Sequence, residues 1–225
     1  MGTLAVNRKG IIQGDAASSY SAAHGAASGV ASDSITGNQA AAMQYFFNSG
    51  RGGGTHRFRR TFLHFDTSGI GAGVSGMSLK LTGFSTASEN AIGIKHTAGN
   101  SNGGELANAD FNNIDRSVVY TTSTGWATSG IITMNFTAVG LAAVIAQNDF
   151  NIALLGINDQ NAEEESPLEE SGQLQDGIAF NSTIQLSYTS AASGYTHKIN
   201  AVAAGNIGKA NTVATANIGK VNTVD

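Results

Sequence analysis

The feature that most limits what this chain can fold into is a succession of short runs in which apolar and polar residues alternate, separated by glycine-rich turns. Period-two alternation places apolar side chains on one face of an extended strand, so each run reads as a strand with one buried face. Phe58, Leu63 and Phe65 alternate with Arg59, His64 and Asp66, and the pattern lapses only at Arg60 and Thr61. Gly69-Ile70-Gly71-Ala72-Gly73 then makes a turn, and Met77-Ser78-Leu79-Lys80-Leu81-Thr82 supplies the next strand. Ala91 to His96, Ser117 to Thr121, Gly130 to Phe136, Phe150 to Ile157 and Ala179 to Tyr188 are further runs of strand length, several rich in β-branched residues.

One segment breaks this succession. Thr137 is a suitable N-cap for a helix running through Ala138 to Gln147, which Asn148 and Asp149 end, with Val139, Leu141, Val144 and Ile145 as its buried stripe. Residues 11–54, rich in Ala, Ser and Gly, are expected to hold few helices and to close in a turn at Arg51-Gly52-Gly53-Gly54. The expected fold class is all-β: a jelly-roll-like β-sandwich with one short helix, occupying residues 1–190 as one domain. Its 225 residues suffice for a sizeable core.

Residues 191–225 differ in kind. Ile199 to Lys209 is followed by a second 11-residue unit, Ala210 to Lys220, and then by Val221-Asn222-Thr223-Val224-Asp225. Two full repeats are too few to enclose a core of their own. The regular apolar spacing therefore suits an extended docking arm, with Ile199, Val202, Ile207, Val213, Ile218 and Val224 as its partner-binding residues.

Composition narrows the function classes. Only 12% of residues are charged, against about 25% in ordinary globular proteins. A surface of Ser, Thr, Asn, Gly and Ala is cheaper to desolvate than a charged one, which suits a protein packed against partners. A net charge of -4 argues against tracking nucleic-acid phosphates. The absence of cysteine excludes disulfides, thiolate nucleophiles and Cys-ligated zinc. No apolar stretch has the length of a membrane span, and the first residues, Met1 to Gln13, lack the apolar run of a signal peptide. Synthesis in a cytoplasm, with release, if at all, by lysis, is the expected route.

The run Arg60-Thr61-Phe62-Leu63-His64-Phe65-Asp66-Thr67-Ser68-Gly69-Ile70, a glycine turn, and then Val74 to Leu81 resembles the DNRLRE-type domains related to carbohydrate-binding modules. The likeness covers roughly residues 10–190, with the helix after Phe136, the strand Phe150 to Leu155, and Ile178 to Tyr188 following in order. It implies a jelly-roll sandwich. Only one tryptophan, Trp126, stands where that pattern is tryptophan-rich. The repeat resembles segments near the ends of structural proteins of tailed phages, which implies a virion component.

Four constellations are candidates for chemistry. Arg57 and Arg59, with Arg51, His56 and Arg60, suit an acidic glycan or an acidic neighbour through bidentate hydrogen bonds; the alternative has Arg60 paired internally with Asp66 or another carboxylate and the others edging a sheet. Trp126 with Tyr120 could form a sugar-stacking platform or a core aromatic pair. Glu163, Glu164, Glu165, Glu169 and Glu170, with Asp159 and Asp176, could hold Ca²⁺ as the sole cofactor, or simply form a solvated loop. His24, His56, His64, His96 and His197 show no metal-ligand spacing, and no catalytic set is assigned. The sequence points to a non-enzymatic phage virion protein on the particle surface, a capsid decoration or head-fibre subunit. Its expected partners are its own copies, a trimer included, and the major capsid protein or another virion protein. A glycan-binding adhesion module, or a tail or baseplate connector, is the alternative.

Overall fold

The computed structural model describes residues 1–33, 40–48, 54–71, 73–87, 90–99, 104–125, 129–163, 172–190, 209–210 and 213–214. The elements in chain order are β1 (Gly2–Ala5), β2 (Arg8–Gly14), α1 (Tyr20–His24), β3 (Gly29–Ser32), β4 (Ala40–Asn48), β5 (Gly54–Asp66), β6 (Val74–Ala87) and β7 (Ala91–His96). A 3-10 turn (Asn108–Asn112) precedes β8 (Ile114–Thr122), β9 (Ile131–Asn135), α2 (Ala138–Ala146), β10 (Asp149–Gly156), α3 (Ile157–Asn161) and β11 (Gly172–Ser190). In the terminal repeat, β12 (Lys209–Ala210) pairs with β13 (Val213–Ala214).

The fold is an all-β sandwich, and every strand pair in it is antiparallel. Its two layers are joined because β5 and β11 change partners along their length. The backbone groups of His56 exchange hydrogen bonds with Ala17, and His64 accepts one from Asn7, so one edge of β5 belongs to the β2 side throughout. β4 and β10 must share the other edge: Met43 to Asn48 pair with Arg59 to Gly54, and Asp149 to Leu154 pair with Asp66 to Thr61. Likewise β11 pairs with β4 over its first half and with β1 near its end, while β6 runs along its opposite edge. One layer is thus β3-β2-β5-β10-β7-β8 and the other β1-β11-β6-β9, with β4 spanning between them.

The core between the layers holds Leu63, Phe65, Phe150, Ile152 and Leu154 from the first and Leu79, Leu81, Met134, Ile184 and Leu186 from the second. A second core lies on the far face of the first layer, where Phe58, Phe62, Ile94, Ala153 and Leu155 are covered by Tyr20 and Ala23 of α1 and by Leu106 and Phe111. That layer is therefore buried on both faces over the second half of β5, which is why the strand loses its alternation: every residue from Arg60 to Phe65 is buried.

The helix content exceeds the single expected element. α1 and α3, five residues each, carry no long apolar period and serve to cover the second core. α2 starts where the sequence places it, with the Thr137 Oγ1 accepting from the Gly140 amide at 3.1 Å. The expected stripe is partly corrected: Val144 is buried, but Val139 is exposed, and Gly140 takes the contact position. A Cβ at Gly140 would stand 2.6 Å from the Tyr120 carbonyl oxygen, so α2 approaches β8 closely only with glycine there.

Candidate functional site

Of the five arginine and histidine residues expected to act together, Arg51 lies outside the described residues, and His56, Arg57, Arg59 and Arg60 divide between opposite faces of β5. Phe58, Arg60 and Phe62 point into the second core, whereas Arg57 and Arg59 share the face of Thr61 and Leu63. Successive strand residues alternate faces, so Arg60 cannot join its neighbours.

Arg60 has no exposed surface, and all five of its N–H donors are engaged. Nε and Nη2 donate to the two carboxylate oxygens of Asp159 at 2.8 Å each, in the fork geometry that guanidinium and carboxylate share. Nη1 donates to the Phe111 carbonyl at 2.9 Å and to Asn112 Oδ1 at 2.7 Å, and Nη2 also reaches the His24 carbonyl at 3.2 Å. The Phe111 ring lies 3.9 Å from the guanidinium carbon. Arg116 Nη2 adds a third cationic contact to Asp159 Oδ1 at 2.9 Å, and His24 Nε2 lies 3.2 Å from the same oxygen. Burial alone would raise the Asp159 carboxyl, but the Arg60 charge, the hydrogen bonds from His24 and Arg60, and Arg116 together hold it far below the usual carboxylate range.

The internal pairing expected for Arg60 is thus present, with Asp159 as its carboxylate. Asp66 instead caps its own turn, accepting from the Ser68 amide at 3.0 Å and hydroxyl at 2.6 Å. Because Asp159 is committed to Arg60, Arg116 and His24, it is not free to serve a Ca²⁺ site with the acidic run. Among that run Glu163 is exposed, while 164–170 and the Asp176 side chain lie outside the described residues.

His56, His64 and His96 also have structural partners, and His197 lies outside the described residues. His96 is buried, and burial pushes its imidazole down to about 4, against the partial opposition of its hydrogen bond to Leu63. Nε2 donates to the Leu63 carbonyl at 3.0 Å while Nδ1 accepts from the Ala98 amide at 3.2 Å, an arrangement that only the neutral ring satisfies. His64 Nε2 meets Asp149 Oδ1 at 3.0 Å, and His56 packs against the Phe46 ring at 4.7 Å. Among the described residues no group of His, Asp and Glu is placed to hold a metal ion.

Arg57 and Arg59 form the open site. They do not edge the sheet, as β5 is paired on both sides. Register aligns Arg59 with Gln13 and Met43, Arg57 with Tyr45, and Thr55 with Phe47. Together Gln13, Tyr45, Phe47, Thr55, Arg57 and Arg59 line a groove of about 330 Å³. Arg59 Nη2 donates to Gln13 Oε1 at 2.8 Å and its guanidinium carbon sits 5.3 Å from the centre of the Tyr45 ring. Its Nε is buried without a hydrogen-bond partner among the described residues. Burial raises the Tyr45 hydroxyl, with Arg59 acting in the opposite sense. Arg57 is exposed and has no ion-pair or hydrogen-bond partner among the described residues.

Other sequence expectations fall elsewhere. Tyr120 is 3% exposed and packs on Phe150 at 5.0 Å, so it is a core aromatic and offers no stacking platform. Trp126, Arg51, Ile199, Val202, Ile207, Ile218 and Val224 lie outside the described residues, and Val213 is placed only as a backbone position in β13. The sequence missed Asp159, Arg116 and Asn112 around Arg60, and Gln13, Tyr45 and Phe47 around Arg59. The i, i+2 spacing of Arg57 and Arg59 signals a shared strand face, but their neighbours follow only from cross-strand register. No protein-family model matches this chain, and no curated protein matches it either.

Proposed function

We propose that this protein is a non-catalytic structural component of a phage particle, a β-sandwich displayed on the virion surface as a capsid decoration or head-fibre subunit and held by its repeat-bearing C-terminal arm. The observation that carries the reading is the outer face of the second layer. Thr3, Ser187, Ser78 and Asn135 form one row across β1, β11, β6 and β9, and Ala5, Gln185, Lys80 and Thr133 form the next. Lys80 is the single charge in these two rows. Such a face resists dissolving into a core yet costs little to desolvate, the balance that suits packing against other subunits. The polar side chains of the body support the same reading, since Arg60, Asp159 and His96 are all consumed by internal bonds. In this arrangement Ile199, Val202, Ile207, Val213, Ile218 and Val224 bury against the major capsid protein or another virion protein.

The test is co-sedimentation with particles that lack this protein, using the full chain and a version ending at Ser193. Saturable binding by the full chain alone supports the proposal, with a fixed number of copies per particle. Failure of both to sediment with particles refutes it, and equal binding by both removes the arm as the anchor.

A further inference from the structure

The outer face of the second layer is hollowed at the end where α2 begins. Gly76, Ser78, Lys80, Asn135 and Ser187 line a groove there of about 510 Å³, together with Ala138 in the first turn of α2. We infer that this groove is a binding site for a small hydroxylated organic anion, held between two positive ends with its hydroxyls meeting the row Ser187, Ser78 and Asn135.

Three observations carry it. First, Ser187 holds a hydroxyl for which the fold has no use. It is 3% exposed and lines the groove, and its Oγ has no hydrogen-bond partner among the described residues. Buried hydroxyls are nearly always paired, so an orphan in the wall of a groove points to a partner that enters the groove. Second, the groove is positive in a chain of net charge -4. Lys80 is the one charged side chain among the described residues that line it. The first turn of the nine-residue α2 holds no acidic residue, so no side chain of its own offsets the positive end of the helix. Thr137 caps the Gly140 amide, whereas the Ala138 amide, at the first helical position, has no intrahelical acceptor. Third, Gly76 leaves the floor open. It shares the face of Ser78 and Lys80 along β6, and a Cβ built on it meets no atom within 4 Å.

The strand register gives the groove its length. The Phe136 amide bonds the Met77 carbonyl, which sets the start of α2 beside the Gly76 end, while Lys80 stands at the other. Gly76, Ser78 and Lys80 succeed one another at intervals of about 7 Å, a span that a bare phosphate ion cannot fill and a molecule with a hydroxylated body can. The middle row, with two hydroxyls and an amide, supplies donors and acceptors between the ends. The inference goes beyond the packing proposed for this face and does not require a particle.

Titration of the isotope-labelled full chain with glycerol phosphate, with gluconate and with glucose as the neutral control tests it, amide shifts being followed by NMR. Saturable shifts at Gly76, Ser78, Ser187 and Ala138 are expected with one or both anions, and which of them binds identifies the charged group. Glucose should bind at least about 10-fold more weakly, and Lys80→Met should weaken anion binding by roughly the same factor, the weight of one charge-assisted bond. Gly76→Val fills the groove on a strand that favours β-branched residues, and should abolish the shifts while the rest of the spectrum stays unchanged. No saturable shift with either anion up to about 20 mM overturns the inference. So does glucose that binds as tightly as the anions, or binding indifferent to both variants. Shifts confined to the face of Arg57 and Arg59 overturn it as well.

Discussion

Removing the Asp159 carboxylate should be the most damaging single change of charge in the body. Asp159→Ala leaves the Arg60 guanidinium with no exposed surface, two of its five donors unpaired, and Arg116 without its carboxylate. Neither water nor another acid can replace the lost partner, because Phe111 covers one face of the guanidinium and the second core surrounds it. Breaking a buried ion pair from one side costs about 3–5 kcal/mol, a large part of the roughly 5–15 kcal/mol that holds an ordinary domain. Urea denaturation followed by circular dichroism should show a much lower midpoint with an unchanged slope. Asp66→Ala, which removes an exposed carboxylate bonded only within its turn, should lower the midpoint far less. Arg60→Met/Asp159→Leu should cost less than Asp159→Ala alone, since no charge is then left buried. The pair also fixes an acid limit. The folded carboxyl sits far below its unfolded value, so the unfolded chain takes up the proton first as pH falls. The contribution of the pair is therefore complete above about pH 4 and declines below it. An Asp159→Ala variant within about 1 kcal/mol of the parent would refute the assignment of this pair as the anchor of the second core.

Three further outcomes follow from the same structure. His96 is held down to about 4 from an ordinary value of 6.5, so the unfolded chain binds its proton first; stability should fall as pH drops from 6.5 toward 4, and His96→Gln should flatten that part of a urea-midpoint profile. Gly140→Ala forces a Cβ against the Tyr120 carbonyl and should destabilise by about 1–3 kcal/mol in thermal or urea unfolding, despite the better helix propensity of alanine. Thr137→Ala removes the N-cap of α2 and the bond from its hydroxyl to the Val119 carbonyl, and should cost about 1–2 kcal/mol in the same assays.

The strands and the sandwich were legible in the sequence because each alternating run carries its own evidence. Ala91 to His96 is β7 residue for residue, and Thr137 marks the start of α2 by its side-chain chemistry alone. Those signals are local: a pattern of faces along a strand, or a hydroxyl before a helix. α1 and α3 carried no such signal. Each is five residues long, too short for an apolar period, and their positions make sense only over Phe58 and Phe62 or beside Arg60.

The separation of Arg60 from Arg57 and Arg59 was within the reach of the sequence, because alternate residues of any strand face opposite ways. Which face is buried was not. Arg60 became a core residue because β5 lies in a layer covered on both sides, and its partner stands 99 residues away at the start of a short helix. A carboxylate at that separation is one among many in the sequence. Only the pairing of β5 with β10, which delivers α3 to the end of the adjacent strand, selects Asp159. The same register sets Tyr45 and Phe47 beside Arg57 and Arg59 on the opposite face. The sequence by itself determined that this chain makes strands with buried faces and one capped helix, since those choices depend on neighbours along the backbone. The tertiary structure decided which charges are locked inside and which stay at the surface, since that depends on which strands lie side by side.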